Sequence, residues 1–299
     1  MIGDVAEAGD QPGDQPVTAG RRVPLSWLGV VPFFVYVGLF LVLPTGIVAF
    51  QAFFNAAGQP TLENVNALTS SVVVQAFVKS ITLSLVSAII GAVLGAVLAY
   101  LIASGPADGF ARRLWTAAAG VLAQFGGVTL AFAFIATAGP VGLITLALSN
   151  LGIDLSGSWL FNLSGLVVVY TYFQIPLMVL VFLPALDGVR PQWREAAESL
   201  GGTTWQYWRH VAIPLLTAPF LGAVLLLFAN AFAAYATAAA LISQGGIIIP
   251  LQIRIALSSE TVAGRENVAK ALALGMIIVV AIAMTLYAMM QRRSARWLR

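Results

Sequence analysis

Six stretches of this chain, at residues 27–50, 81–103, 114–137, 166–186, 215–242 and 271–290, are continuously apolar. A helix needs roughly 20 mostly apolar residues to cross the hydrocarbon core of a bilayer, and each stretch supplies about that many. The apolar residues run on without alternating with polar ones, as in a helix; a lipid-facing strand would alternate. The fold class that follows is all-α, a polytopic membrane bundle of about six transmembrane helices. A further apolar segment at 141–148 is too short to cross, and Gly139, Pro140 and Gly142 interrupt it, so it is expected to be interfacial or re-entrant.

Composition excludes the soluble alternative. Of the 299 residues, 60% are hydrophobic and 9% charged, and the mean hydropathy is +0.92. A water-soluble fold would have to expose much of that apolar surface. There is no cysteine and one histidine, His210, so neither a thiolate nor a histidine cluster is available to hold a metal. The sequence pI near 9.4 does not indicate nucleic acid, because the basic residues are scattered at the ends of apolar stretches. The lipid bilayer accounts for them better.

Lys and Arg also set an orientation. With the N-terminus in the cytoplasm, the inner segments carry Arg21, Arg22, Arg112, Arg113, Arg190, Arg194, Arg209, Arg292, Arg293, Arg296 and Arg299. The outer segments carry only Lys79, Arg254, Arg265 and Lys270. This excess places both termini inside. Residues 1–23, rich in Asp, Gly and Pro and poor in large apolar side chains, are expected to be a disordered cytoplasmic tail. Residues 24–74 then supply the first span and an extracytoplasmic loop, 75–290 a core transmembrane domain, and 291–299 a basic cytoplasmic tail.

Between the fourth and fifth apolar stretches lies the polar run Glu195-Ala-Ala-Glu-Ser-Leu-Gly201, followed nine residues later by Val211-Ala-Ile-Pro214. Asp187 and Pro191 fit a helix start, since proline lacks only a donor that the first turn leaves free. Gly201 and Gly202 suit a left-handed helix stop. Thr203-Thr-Trp-Gln206 matches a capping box that opens a second helix carrying Trp205, Tyr207, Trp208 and Arg209. Pro214 is expected to reset the chain into the fifth span. The expected shape over 191–210 is a pair of short helices at the cytoplasmic face.

The full pattern resembles the EAA loop of ABC importer permeases, the MetI-like inner-membrane components of binding-protein-dependent transport systems. The matching positions are Glu195, Ala196, Ala197, Gly201, Val211, Ile213 and Pro214. The resemblance implies that this loop couples to a cytoplasmic ATPase pair, with Glu195 meeting a polar group there, Ala196 and Ala197 letting the helix seat, and Gly201 setting the turn. It also implies a second permease subunit, identical or homologous, an extracytoplasmic solute-binding protein, and a bacterial inner membrane. The segments Tyr170-Thr-Tyr-Phe-Gln-Ile-Pro-Leu177 and Ala234-Tyr-Ala-Thr-Ala238 resemble the spermidine/putrescine branch, whose relatives take sulfate or thiosulfate, ferric iron, thiamine and phosphonates.

A P-loop needs glycines followed by a lysine to cradle nucleotide phosphates. The only lysines are Lys79 and Lys270, and neither follows a glycine. This chain is therefore not expected to be an enzyme or to hold a cofactor; the resemblance puts ATP hydrolysis on the partner. No Asp, Glu, Lys or Arg lies deep in a span, which speaks against an ion-coupled secondary transporter. A membrane scaffold that recruits some other cytoplasmic protein is the remaining alternative. Gln124, Thr129, Gln174, Asn230, Tyr235 and Thr237 either bond between helices or, for Gln174, Asn230, Tyr235 and Thr237, line a translocation path. Gly91 with Gly95, and Gly126 with Gly127, are expected to be points of close packing.

Overall fold

The computed structural model describes residues 26–55, 57–106, 108–153, 157–242, 248–258 and 265–296, with the side chains of 26–28, 265–266 and 291–296 left aside. The tail expected over 1–23 lies outside the described residues. Among the described residues six helical runs are long and apolar enough to cross a bilayer. No β-strand forms among them; one isolated antiparallel bridge joins Phe54 and Pro60.

Two compact units divide at Ile47 and Val48. The first holds α1 (Ser26–Val37), which passes through a π-helical turn at Gly38–Val42 into α2 (Leu43–Gln51), whose residues from Val48 on belong to the second unit. The wide turn has a local cause. Pro44 has no N–H to close an ordinary turn, and its ring would press on the carbonyl one turn earlier. The chain instead closes one residue wider, with the Leu43 N–H donating to the Gly38 carbonyl.

In the second unit, α3 (Glu63–Asn66) is held by the buried Asn64, whose amide donates to the carbonyls of Ala52 at 3.2 Å and Phe54 at 2.8 Å. There follow α4 (Ser71–Ala103), α5 (Phe110–Gln124), α6 (Gly127–Ala138), α7 (Leu143–Asn150) and α8 (Leu163–Asp187). The polar run forms α9 (Pro191–Ser199) and α10 (Thr204–Tyr207). The chain closes with α11 (Ile213–Ala233), α12 (Ala236–Leu241), α13 (Ile249–Ser258) and α14 (Arg265–Arg296).

The centre of this unit is α8, the most buried of the six spans, packed against α4, α5 and α11. Its contact with α4 is close because α4 presents glycines. A Cβ placed on Gly91 would stand 2.7 Å from the Gln174 Cβ, and one on Gly95 would stand 2.5 Å from the Met178 Cβ. Lipid offers no hydrophobic drive between helices, so small residues that allow backbone approach take over that task. Tyr170, Phe173 and Leu166 of α8 form one core cluster with Leu83 and Leu241; Met178, Val179 and Phe182 form another with Ala92 and Leu227.

Two of the apolar stretches do not form single helices. The stretch 114–137 is broken between α5 and α6 at Phe125 and Gly126, and Gly127 has φ +68°. The run that has membrane length here is Gly127–Asn150, which contains α6, a turn and α7. The segment 141–148 is thus largely α7, following α6 after a turn at Gly139 to Gly142. Gly126 has open space where a side chain would be, and a Cβ on Gly127 would meet Ala236 at an ordinary 3.5 Å. These two glycines serve a backbone break, in contrast to the close packing expected of them. The stretch 215–242 is likewise broken at Ala234 and Tyr235, between α11 and α12.

Candidate functional site

The polar run folds from local chemistry. Arg190 has extended backbone (φ −71°, ψ 134°) and Pro191 takes the first helical position of α9. Asp187, expected to start this helix, instead ends α8, and Arg190 is the residue before α9. Gly201, at φ +75°, stops α9: its N–H donates to the Glu198 carbonyl and the Gly202 N–H to the Ala197 carbonyl, both at 2.9 Å. These paired bonds satisfy carbonyls that a helix end leaves open. Gly202 does not share the left-handed conformation. A Cβ there would stand 2.8 Å from the Ala197 oxygen, so close approach is its reason for being glycine.

Thr203 then caps α10 as its sequence indicates. The Gln206 N–H donates to Thr203 Oγ1 at 3.3 Å, and the Thr203 N–H donates to Gln206 Oε1 at 2.7 Å. The second helix is not short and separate, however. It runs through a π-helical turn at Trp208–Ala212 into α11, with the Ile213 N–H donating to the Trp208 carbonyl. Pro214 explains this as Pro44 explains the earlier turn. The proline widens the helix without resetting it, and α10 is the leading end of a long rod that continues through α11.

The surface of this helix-turn-helix is unusual for a polar connector. Glu195 and Ala196 are exposed, Ala197 is half-buried, and Gly201 is exposed. Beside them Leu200 is 89% exposed and Trp205 67% exposed, so large apolar groups stand out of a polar turn. Arg194 is held by Glu198 on the next turn at 2.9 Å, and that bond raises its pKa above the ordinary arginine value. Tyr207 is buried, and the Trp208 ring meets Tyr100 of α4 edge-on at 5.4 Å. Val211 is half-buried, while Ile213 and Pro214 are exposed. Leu200 was the residue least visible in the sequence: a single leucine before two glycines reads as a helix end, and only its exposure marks it.

The candidate path residues divide into two pairs. Gln174 is fully buried. With its amide turned to satisfy both ends, it donates to the Leu227 carbonyl at 2.9 Å and accepts from the Ala88 N–H and Ser87 Oγ, both at 3.1 Å. It therefore ties α8 to α4 and α11. Thr237 is also buried and donates to the Gly127 carbonyl at 3.2 Å. Asn230 and Tyr235 are exposed, Tyr235 by 39%, on and just after the end of α11. The Ala234 carbonyl between them accepts from the Tyr170 hydroxyl at 2.7 Å. The break after α5 and the break after α11 thus meet, joined by Thr237 and Gly127. Among the described residues no three His, Asp or Glu side chains gather as a metal site would require.

The family described as "Binding-protein-dependent transport system inner membrane component" matches residues 140–299. Among curated proteins, the chain is 33% identical over 81 residues to the "Sulfate transport system permease protein CysT" of Escherichia coli (strain K12), covering 27% of this chain and 28% of that protein. It is 27% identical over 118 residues to the "Thiamine transport system permease protein ThiP" of the same organism, covering 38% of this chain and 21% of that protein. The chain thus spans less than a third of the length of either relative.

Among solved structures, a bacterial ABC transporter involved in the import of the acidic polysaccharide alginate superposes with a TM-score of 0.66 at 18% identity, over 91% of this chain and 95% of that one. An inward-facing form of the MetNI methionine ABC transporter superposes with a TM-score of 0.54 at 16% identity, over 75% and 96%. At these identities the likeness is one of fold.

Proposed function

The chain belongs to the family of binding-protein-dependent transport system inner membrane components, which matches more than half of it, and we propose that it is the permease subunit of an ATP-binding-cassette importer. In this reading an extracytoplasmic binding protein delivers a small solute, a cytoplasmic ATPase pair binds and hydrolyses ATP, and this chain, with a second permease subunit, carries the solute across a bacterial inner membrane. ATP is used on the partner chains, and both termini of this chain lie in the cytoplasm.

The observation that carries the reading is the surface of α9 and α10. A helix-turn-helix, stopped by Gly201 and restarted by a capping box, presents Glu195, Ala196, Leu200 and Trp205 outward. Exposed large apolar side chains beside a charged group form the kind of surface a protein partner covers. Glu195, Ala196, Ala197 and Gly201 face or shape the ATPase contact; Val211, Ile213 and Pro214 fix the passage into α11. Asn230 and Tyr235, exposed beside the break after α11, border the path, and Gln174 and Thr237 hold the helices that form it.

For the solute, the segments around Tyr170 and Tyr235 support a polyamine such as spermidine or putrescine, while the sulfate and thiamine permeases among the relatives support a related solute of that branch, which also takes ferric iron and phosphonates. Uptake of radiolabelled putrescine, sulfate and thiamine by cells expressing the complete system separates these choices. The coupling reading is tested in the same cells with Glu195→Lys and Gly201→Val. Both variants are expected to insert normally and to lose uptake by roughly tenfold or more, within the usual size of a coupling between sites. Normal uptake by both refutes it, and uptake that survives ATP depletion but collapses with an ionophore favours a secondary transporter.

A further inference from the structure

The charged pair between α5 and α8 stands apart from the other ion pairs among the described residues. Arg112 Nη2 lies 2.6 Å from Asp187 Oδ1 and 2.5 Å from Asp187 Oδ2, and the Arg112 side chain is only 15% exposed. Arg113 with Asp108 is 4.0 Å apart and almost wholly exposed, and Arg194 with Glu198 lies within one helix. Only the first pair joins distant elements. Exposed ion pairs hold little; here Asp187 is 45% exposed but Arg112 is shielded, so this short pair is screened less by salt and water than the other two.

Its position gives it mechanical meaning. Asp187 is the last residue of α8, and only Gly188, Val189 and Arg190 separate it from α9. Arg112 lies in the first turn of α5. At its other end α5 stops at the break over Phe125 and Gly126, where the Phe125 N–H is shared between the Val121 and Leu122 carbonyls and the Gly126 N–H reaches only the Gln124 carbonyl. Bending there breaks no regular helical ladder. Besides α8, which leads into it through Gly188 to Arg190, the helix-turn-helix is therefore fastened to two rods. One is α11, joined covalently through the π turn and ending at Ala234 and Tyr235; the other is α5, joined through Arg112 and Asp187. Both rods end at breaks that touch, through Thr237 and the Gly127 carbonyl.

We propose that Arg112 and Asp187 are positioning residues that fasten α5 to the root of α9, so that displacement of α9 by the ATPase reaches the break at Phe125 to Gly127 through α5 as well as the break at Ala234 and Tyr235 through α11. This rests on the reading of α9 as the ATPase contact. Removing the pair loosens the link of α5 to the root of α9, leaving its packing against α8, while α11 stays covalently joined.

This chain has no cysteine, so a single reporter on it is unambiguous once the cysteines of the co-purified partner chains are replaced. Val128→Cys, just beyond the α5 break, and Asn230→Cys, near the end of α11, are each labelled with an environment-sensitive fluorophore in the transporter co-purified with its ATPase and placed in nanodiscs. The reading is the emission change between the nucleotide-free state and ATP with magnesium and vanadate. In the otherwise unaltered protein both positions respond. With Arg112→Ala or Asp187→Ala the change at position 128 falls roughly fivefold or more while that at 230 persists, the lower end of an ordinary coupling between sites. The reversed pair, Arg112→Asp with Asp187→Arg, restores it, and Arg113→Ala leaves it intact. A response at 128 that survives Arg112→Ala overturns the proposal, as does an equal loss at 128 and 230, since the position 230 reporter then shows general disruption. No response at either position in the unaltered transporter instead refutes the ATPase-contact reading itself.

Discussion

Gly95→Ala tests the close approach of α4 and α8. The added Cβ would stand 2.5 Å from the Met178 Cβ, 2.9 Å from its Cγ and 2.7 Å from the Ile175 carbonyl oxygen. Carbon atoms at rest sit about 3.5–4.0 Å apart, so the helices must separate locally by roughly 1 Å. Rotating Met178 does not relieve this, because its Cβ and the Ile175 backbone are fixed by α8 itself. Overpacking of this kind costs about 1–3 kcal/mol. Against it stands the gain of alanine over glycine within a helix, about 0.8–1.0 kcal/mol. Gly120→Ala in α5 receives that gain alone, since nothing lies within 4 Å of the new methyl. The two variants should therefore differ by about 1–3 kcal/mol. At roughly 2–4 °C per kcal/mol for a chain of this size, thermal melts in detergent should separate them by ~2–12 °C, with Gly95→Ala lower. A Gly95→Ala protein that melts at or above the Gly120→Ala protein would refute the packing argument.

Two further outcomes concern the helix-turn-helix. Thr203→Ala removes a side chain that accepts from the Gln206 N–H and should destabilise α10 by about 1 kcal/mol, read as faster backbone hydrogen exchange over 204–207 with the distant α4 unchanged. Leu200→Asp and Trp205→Asp, at 89% and 67% exposure, should leave the melting temperature nearly unchanged, since exposed substitutions stay within about 0.5 kcal/mol. The same pair should sharply reduce co-purification of the ATPase subunit; undiminished capture by both would remove these side chains from the contact.

The residues that were legible in the sequence are those whose structure is decided by close neighbours along the chain. Gly201 stops α9 because no other residue adopts φ +75° so readily, and Thr203 with Gln206 caps α10 through groups three residues apart. The close approach at Gly91 and Gly95 was also legible, because a glycine pair one turn apart bares one stripe of a helix. Hydropathy located five of the six spans but put the third at 114–137 in place of Gly127–Asn150, because it could not see the break at Phe125 and Gly126, or the one at Ala234 and Tyr235: residues around a break are as apolar as those within a helix. Asp187 was misread for a related reason. Its charge near a helix start fits a cap, but the partner that fixes it, Arg112, is 75 residues away.

By itself, then, the sequence determined that the chain is a bundle of membrane helices, and that a polar helix-turn-helix with the EAA pattern interrupts them. Transfer of apolar side chains and local capping are properties of short segments, and they survive in any arrangement of those segments. Tertiary structure decided that Gln174 and Thr237 are buried while Asn230 and Tyr235 are exposed, that α10 continues into α11, and that two helix breaks meet at Thr237 and Gly127. Those features depend on which faces of distant helices come together, and a buried polar group takes whichever partner the packing brings within hydrogen-bond reach.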